Sequence, residues 1–92
     1  MKMVNNMRAI KVKFLPPTNT RGTRIKLTEQ RFQNTDNITL SFDYEIGNGT
    51  KQAIKYLQEK GINLIGKAEL KKETIFFSDS WQYDNEEFKS IK

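Results

Sequence analysis

The chain has no cysteine and no histidine. The first absence excludes a disulfide-stapled scaffold, a thiolate metal site and a cysteine nucleophile. The second removes the commonest metal ligand and the commonest general base at neutral pH. Proline occurs only twice, side by side at Pro16-Pro17. The opening Met1-Lys2-Met3-Val4-Asn5-Asn6 lacks the apolar stretch of a signal peptide, and no apolar run approaches the length of a membrane span. The expectation is a cytoplasmic protein with no membrane contact, no metal and no cofactor. One further absence is local: no acid precedes Glu29.

That last gap shapes the chain. Seven cations (Lys2, Arg8, Lys11, Lys13, Arg21, Arg24, Lys26) stand in the first 28 residues, so the overall charge of +5 divides into +7 before Glu29 and −2 from Glu29 onward. A concentrated cationic element of this kind points first to an anionic partner. Ninety-two residues make one domain with a modest core, in which ten aromatic residues raise the area each position can bury.

The pattern along the chain predicts an α+β fold of order β-β-β-α-β-β, a small antiparallel sheet with one helix packed on one face. Residues 1–6 read as a loose tail. Ile10, Val12 and Phe14 alternate with Lys11 and Lys13, the period of a half-buried strand, which Pro16-Pro17 ends. A polar loop, Thr18 to Thr23, leads to a second strand at about Arg24 to Thr28. Phe32 to Asn37 reads as a turn, and Ile38 to Glu45 alternates as a third strand. Gly47-Asn48-Gly49-Thr50 opens a helix over Lys51 to Lys60, with Asn48 or Thr50 as N-cap and Gly61 as its left-handed stop. Ala53, Ile54 and Leu57 form its apolar stripe, set against a sheet face of Ile10, Val12, Phe14, Ile25, Leu27, Ile38, Leu40 and Phe42. Strands at Leu64 to Leu70 and Thr74 to Ser78 follow, joined at Lys71-Lys72. Residues 79–92 read as a partly docked acidic aromatic tail.

If the first two strands form a hairpin, their polar sides coincide, and Lys11, Lys13, Arg24 and Lys26 share a face that Thr39 and Ser41 extend with hydroxyls. With Arg21 on the loop, this is a track for phosphates. The plain alternative is a solvated face whose lysines guard a sheet edge. In Arg21-Gly22-Thr23-Arg24, the glycine would let the backbone approach a ligand while two arginines fork onto phosphates or a base edge. The alternative there is a turn that needs glycine at positive φ. Trp81, Tyr83, Phe76 and Phe77 are candidates for stacking on unpaired bases, although one of the two adjacent phenylalanines must find cover in the core. Glu69-Leu70-Lys71, completed by Asp43 and Glu45, has the form of a metal-dependent nuclease site. That motif is common by chance in a lysine-rich chain, and a helix separates its acids, so the reading is non-enzymatic.

The run Arg8-Ala9-Ile10-Lys11-Val12-Lys13-Phe14-Leu15-Pro16-Pro17-Thr18-Asn19-Thr20-Arg21-Gly22-Thr23-Arg24-Ile25-Lys26 resembles the opening of small uncharacterised proteins encoded on bacterial plasmids, prophages and other mobile elements. The strand Ile38 to Tyr44 followed by the helix Lys51 to Lys60 is similar to theirs as well. The resemblance spans about the first two thirds of the chain, is most specific from Thr18 to Lys26, and stops at Leu70. It implies a bacterial mobile-element setting and brings no activity or site residue with it.

Two functions follow as expectations. The first is a nucleic-acid-binding protein using Lys11, Lys13, Arg21, Arg24, Lys26, Thr39 and Ser41, with DNA or RNA, single- or double-stranded, left open. The second is a mobile-element inhibitor of a host defence enzyme, of anti-restriction or anti-CRISPR type. It would meet an acidic patch with the same cations, or a basic groove with Trp81, Tyr83, Asp84, Glu86 and Glu87. A homodimer is expected because doubling a weak site raises its affinity without new contacts.

Overall fold

Every second side chain of β1 (Arg8–Leu15) turns inward at first: Arg8, Ile10 and Val12 are buried, while Ala9, Lys11 and Lys13 are exposed. The computed structural model describes residues 7–30, 34–78 and 90–92. In it, β1 lies at the centre of a five-stranded antiparallel sheet of order β3-β2-β1-β5-β4. Its partners are β2 (Arg24–Gln30), β3 (Thr35–Ser41), β4 (Leu64–Glu69) and β5 (Glu73–Ser78). One helix, α1 (Gly49–Glu59), lies between β3 and β4 in the chain, giving the order β-β-β-α-β-β that the alternation predicts.

The buried apolar cluster joins Ile10 and Val12 of β1, Ile25 and Leu27 of β2 and Phe76 of β5. Ala53 and Leu57 of α1, Ile62 and Ile91 complete it. Ile38, Leu40, Phe42 and Ile54 pack around it half-buried. Phe14 keeps to the expected face, opposite Ile25, but at the end of β1 it is left 53% exposed. The helix begins where Asn48 Oδ1 accepts from the Lys51 N–H at 3.0 Å, and stops before Gly61, whose φ of +85° suits glycine. At eleven residues α1 would be marginal in isolation, so its stability depends on that shared cluster.

Three expectations need correction. Of the supposed turn Phe32 to Asn37, Phe32 and Gln33 lie outside the described residues, and Thr35, Asp36 and Asn37 are instead the first half of β3, which begins at Thr35. Its polar residues are held by long-range partners: Asn37 Oδ1 accepts from Thr28 Oγ1 at 3.0 Å, and Asp36 lies 3.4 Å from Lys92 Nζ. The same strand stops at Ser41. Asp43 Oδ1 then accepts from the Glu45 N–H at 2.9 Å, turning the chain and leaving Tyr44 75% exposed. The third correction concerns Arg8, counted above in the cationic element expected to meet an anionic partner. It is fully buried and bound to Glu29, Nη2 to Oε1 at 2.8 Å and Nε to Oε2. Glu29 thus neutralises one of the seven charges from inside the protein.

The expected tail at 1–6 lies outside the described residues, as do 79–89 with Trp81, Tyr83, Asp84, Glu86 and Glu87. Ser90 to Lys92 is described, and Ile91 is fully buried. Its carbonyl accepts a hydrogen bond from the Tyr56 hydroxyl, and Lys60 Nζ donates to the Lys92 main-chain oxygen at 2.6 Å. Burial raises the Tyr56 pKa above the ordinary tyrosine value.

Candidate nucleic-acid interface

Register decides which cations meet. In the β1–β2 pair Lys13 stands opposite Lys26 and Lys11 opposite Thr28. In the β2–β3 pair Lys26 stands opposite Thr39 and Arg24 opposite Ser41. Because side chains alternate between faces, Lys11, Lys13, Arg24, Lys26, Thr39 and Ser41 all lie on the face opposite to Ile10 and Leu27. Over β1, β2 and β3 the remaining members of that face are Ala9, Leu15, Thr28, Gln30, Thr35 and Asn37. It therefore carries four cations and no acid. On the neighbouring strand β5, Glu73 stands opposite Lys13.

Two lysines facing each other across a strand pair are about 5 Å apart at Cβ and repel. Glu73 relieves Lys13 from one side, but on the β2–β3 side the row continues only with Thr39. Lys11 and Lys13 are exposed, whereas Arg24 and Lys26 are half-buried. The Arg24 Nε is covered and has no hydrogen-bond partner among the described residues.

Arg21 is exposed on the loop between β1 and β2, outside the sheet face. The loop is tightened by Thr18, whose Oγ1 accepts from the Arg21 N–H at 3.1 Å and whose own N–H donates to the Arg21 carbonyl at 2.7 Å. Gly22 does not have positive φ, and a Cβ added there would meet open space. Neither turn geometry nor packing calls for glycine at that position, so the ordinary explanation for it fails.

Other sequence candidates are separated. Phe76 is buried in the core, and Phe77 is half-buried on the opposite face beside Ala9. Glu69 pairs with Lys67 at 2.9 Å on the edge strand β4, while Asp43 and Glu45 follow β3 at the other edge. No group of three or more acidic side chains able to hold a metal ion occurs among the described residues. None of the helices described is long and apolar enough to cross a membrane.

The structure also assembles a feature absent from the sequence reading. Phe14, Phe42 and Tyr44 meet edge to face, with ring centroids 5.9 Å apart for Phe14–Phe42 and 4.9 Å for Phe42–Tyr44. Gly49 lies against this pair and Ile25: a Cβ there would crowd Ile25 Cγ2 at 3.2 Å while meeting Phe14 Cδ2 in ordinary contact at 3.8 Å. Hollows of about 720 Å³ and 420 Å³ flank the aromatic group, and Phe42 lines both. Lys71 and Lys72 stand on the wall of the first, Arg21 and Arg24 on the wall of the second.

Compared with known proteins, the chain matches no family model, no curated protein and no solved structure.

Proposed function

We propose that this chain is a non-enzymatic nucleic-acid-binding protein of a mobile element, holding phosphates on the sheet face that carries Lys11, Lys13, Arg24 and Lys26, with Arg21 beside it. In this reading α1 packs over the opposite face and leaves the cationic one to the ligand. The observation that supports it most is the Lys13–Lys26 juxtaposition in a field with no acid on β1, β2 or β3. Like charges set opposite one another cost stability, and a bound phosphate would offset that cost. Hydroxyls of Thr39 and Ser41 add neutral contacts of the kind that position a backbone without reading sequence.

Binding of this type is electrostatic and nearly indifferent to base sequence. With four or five phosphates neutralised, log affinity falls against log salt with a slope of roughly −3 to −5. Titration of labelled single- and double-stranded DNA at two salt concentrations tests it; absence of salt-dependent binding to either would sink the proposal. The rival reading, capture of a host protein through Trp81, Tyr83, Asp84, Glu86 and Glu87, draws on residues outside those described. A homodimer remains part of the proposal, and sedimentation resolves it from the 10.8 kDa monomer.

A further inference from the structure

We propose that Phe14, Phe42 and Tyr44 form a stacking platform for unpaired bases, so that the ligand of this protein is a single-stranded nucleic acid. The inference rests on the nucleic-acid reading above and gives it a substrate class. Two of these rings are spread into solvent, Phe14 at 53% exposure and Tyr44 at 75%, although each would gain from burial. They are not scattered: Phe42 touches both and ties them into one ridge. Cations edge the hollow on each side, Lys13, Lys71 and Lys72 outnumbering Glu73 on one and Arg21 and Arg24 on the other.

Rings bordered by cations match the two halves of a single-stranded nucleotide. Bases stack on aromatic faces whatever their identity, and the phosphates between them follow the positive charge. A duplex keeps its base faces stacked inside and offers nothing to Tyr44 or Phe14. An apolar peptide would use the rings but leave these cations without partners. Arg24 belongs both to the cationic sheet face and to the hollow beside Tyr44, so one strand can pass from the ridge onto that face.

The test is fluorescence anisotropy with a labelled oligo-dT, an oligo-U and a hairpin duplex of matched length, at two salt concentrations. The intact protein is expected to bind both single strands more tightly than the duplex, and the DNA–RNA comparison tells which sugar is preferred. Tyr44→Ala should weaken single-strand binding by about 5- to 100-fold. It should leave duplex binding and the circular dichroism spectrum unchanged, and Tyr44→Trp should restore the affinity. Phe14→Ala provides a second ring to remove. If neither substitution alters single-strand affinity while Lys11→Gln with Lys13→Gln reduces it, the platform is overturned and the phosphate reading survives. Equal affinity for single strand and duplex overturns it too. If no nucleic acid binds at all, both fall together.

Discussion

The two ends of β1 present opposite arrangements. At one end Arg8 is fully buried, clasped by Glu29, with Ser78 opposite it in the register with β5. At the other end Phe14, six residues on and on the same face, is 53% exposed. A cation is inside and an aromatic ring outside, the reverse of what side-chain type suggests. The difference lies in what covers each position. Ser90 to Lys92 reaches the Arg8 end, where Lys92 pairs with Asp36, the cross-strand neighbour of Glu29. At the Phe14 end, among the described residues, Phe42, the start of α1 and the turn at Lys71-Lys72 approach, and a hollow lies between them. One end is closed, the other open to solvent.

The comparison is broken most severely by opening the closed end. Glu29→Ala leaves a buried guanidinium without its carboxylate and should cost about 3–5 kcal/mol, read from urea denaturation. Replacing both partners, as Arg8→Met with Glu29→Leu, should recover most of that loss. A cost under about 1 kcal/mol for the single change would show that the pair does not hold this end. Leu57→Ala removes a fully buried side chain that shares the cluster of Ile10 and Leu27, and should cost about 2–4 kcal/mol in the same assay.

A smaller effect comes with pH. Burial raises the Tyr56 pKa in the folded protein, so the neutral phenol that donates to Ile91 is favoured by folding. That contribution is complete below the unfolded tyrosine pKa of about 10 and is lost as pH rises through the folded value. Thermal midpoints should therefore fall more steeply above that pH in the native chain than in Tyr56→Phe. Least of all should be the effect on stability of Lys11→Gln with Lys13→Gln: within about 0.5 kcal/mol, because both side chains stand in water. The same pair of changes should flatten the salt dependence of nucleic-acid binding by about two units. A large loss of stability would mean the cationic face is structural after all.

Much of this was legible from alternation alone. Lys11 and Lys13 against Val12, and Lys26 against Ile25 and Leu27, give the faces of β1 and β2 by their period of two, and the structure keeps those faces. What escaped depends on partners far along the chain. Nothing local marks Arg8 for burial; Glu29, which binds it inside the protein, lies 21 positions on. Thr35-Asp36-Asn37 has turn composition, and it is a strand because Thr28 and Lys92 receive its side chains. Ile91 stands in a polar tail with no period, yet it is fully buried. The exposure of Phe14 did leave a trace. An eleven-residue helix is about 16 Å long and an eight-residue strand about 26 Å, so a helix this short cannot cover the whole length of such a strand. Which end stays bare is set by the tertiary fold.

Gln52 shows how such a small sheet can keep to itself. The Phe42 N–H bonds inward to Thr23, so the Ser41 carbonyl and the Asp43 N–H point away from β2, in the direction from which another strand would add. The Gln52 carboxamide takes both, donating to Ser41 at 2.8 Å and accepting from Asp43 at 2.9 Å. One side chain thus imitates a strand residue and plugs that stretch of the margin. A growing aggregate recruiting this margin would find its docking groups already satisfied here, and Gln52→Ala would uncover them. The expected consequence is slow thickening of concentrated solutions into β-rich fibres, from a substitution on a helix.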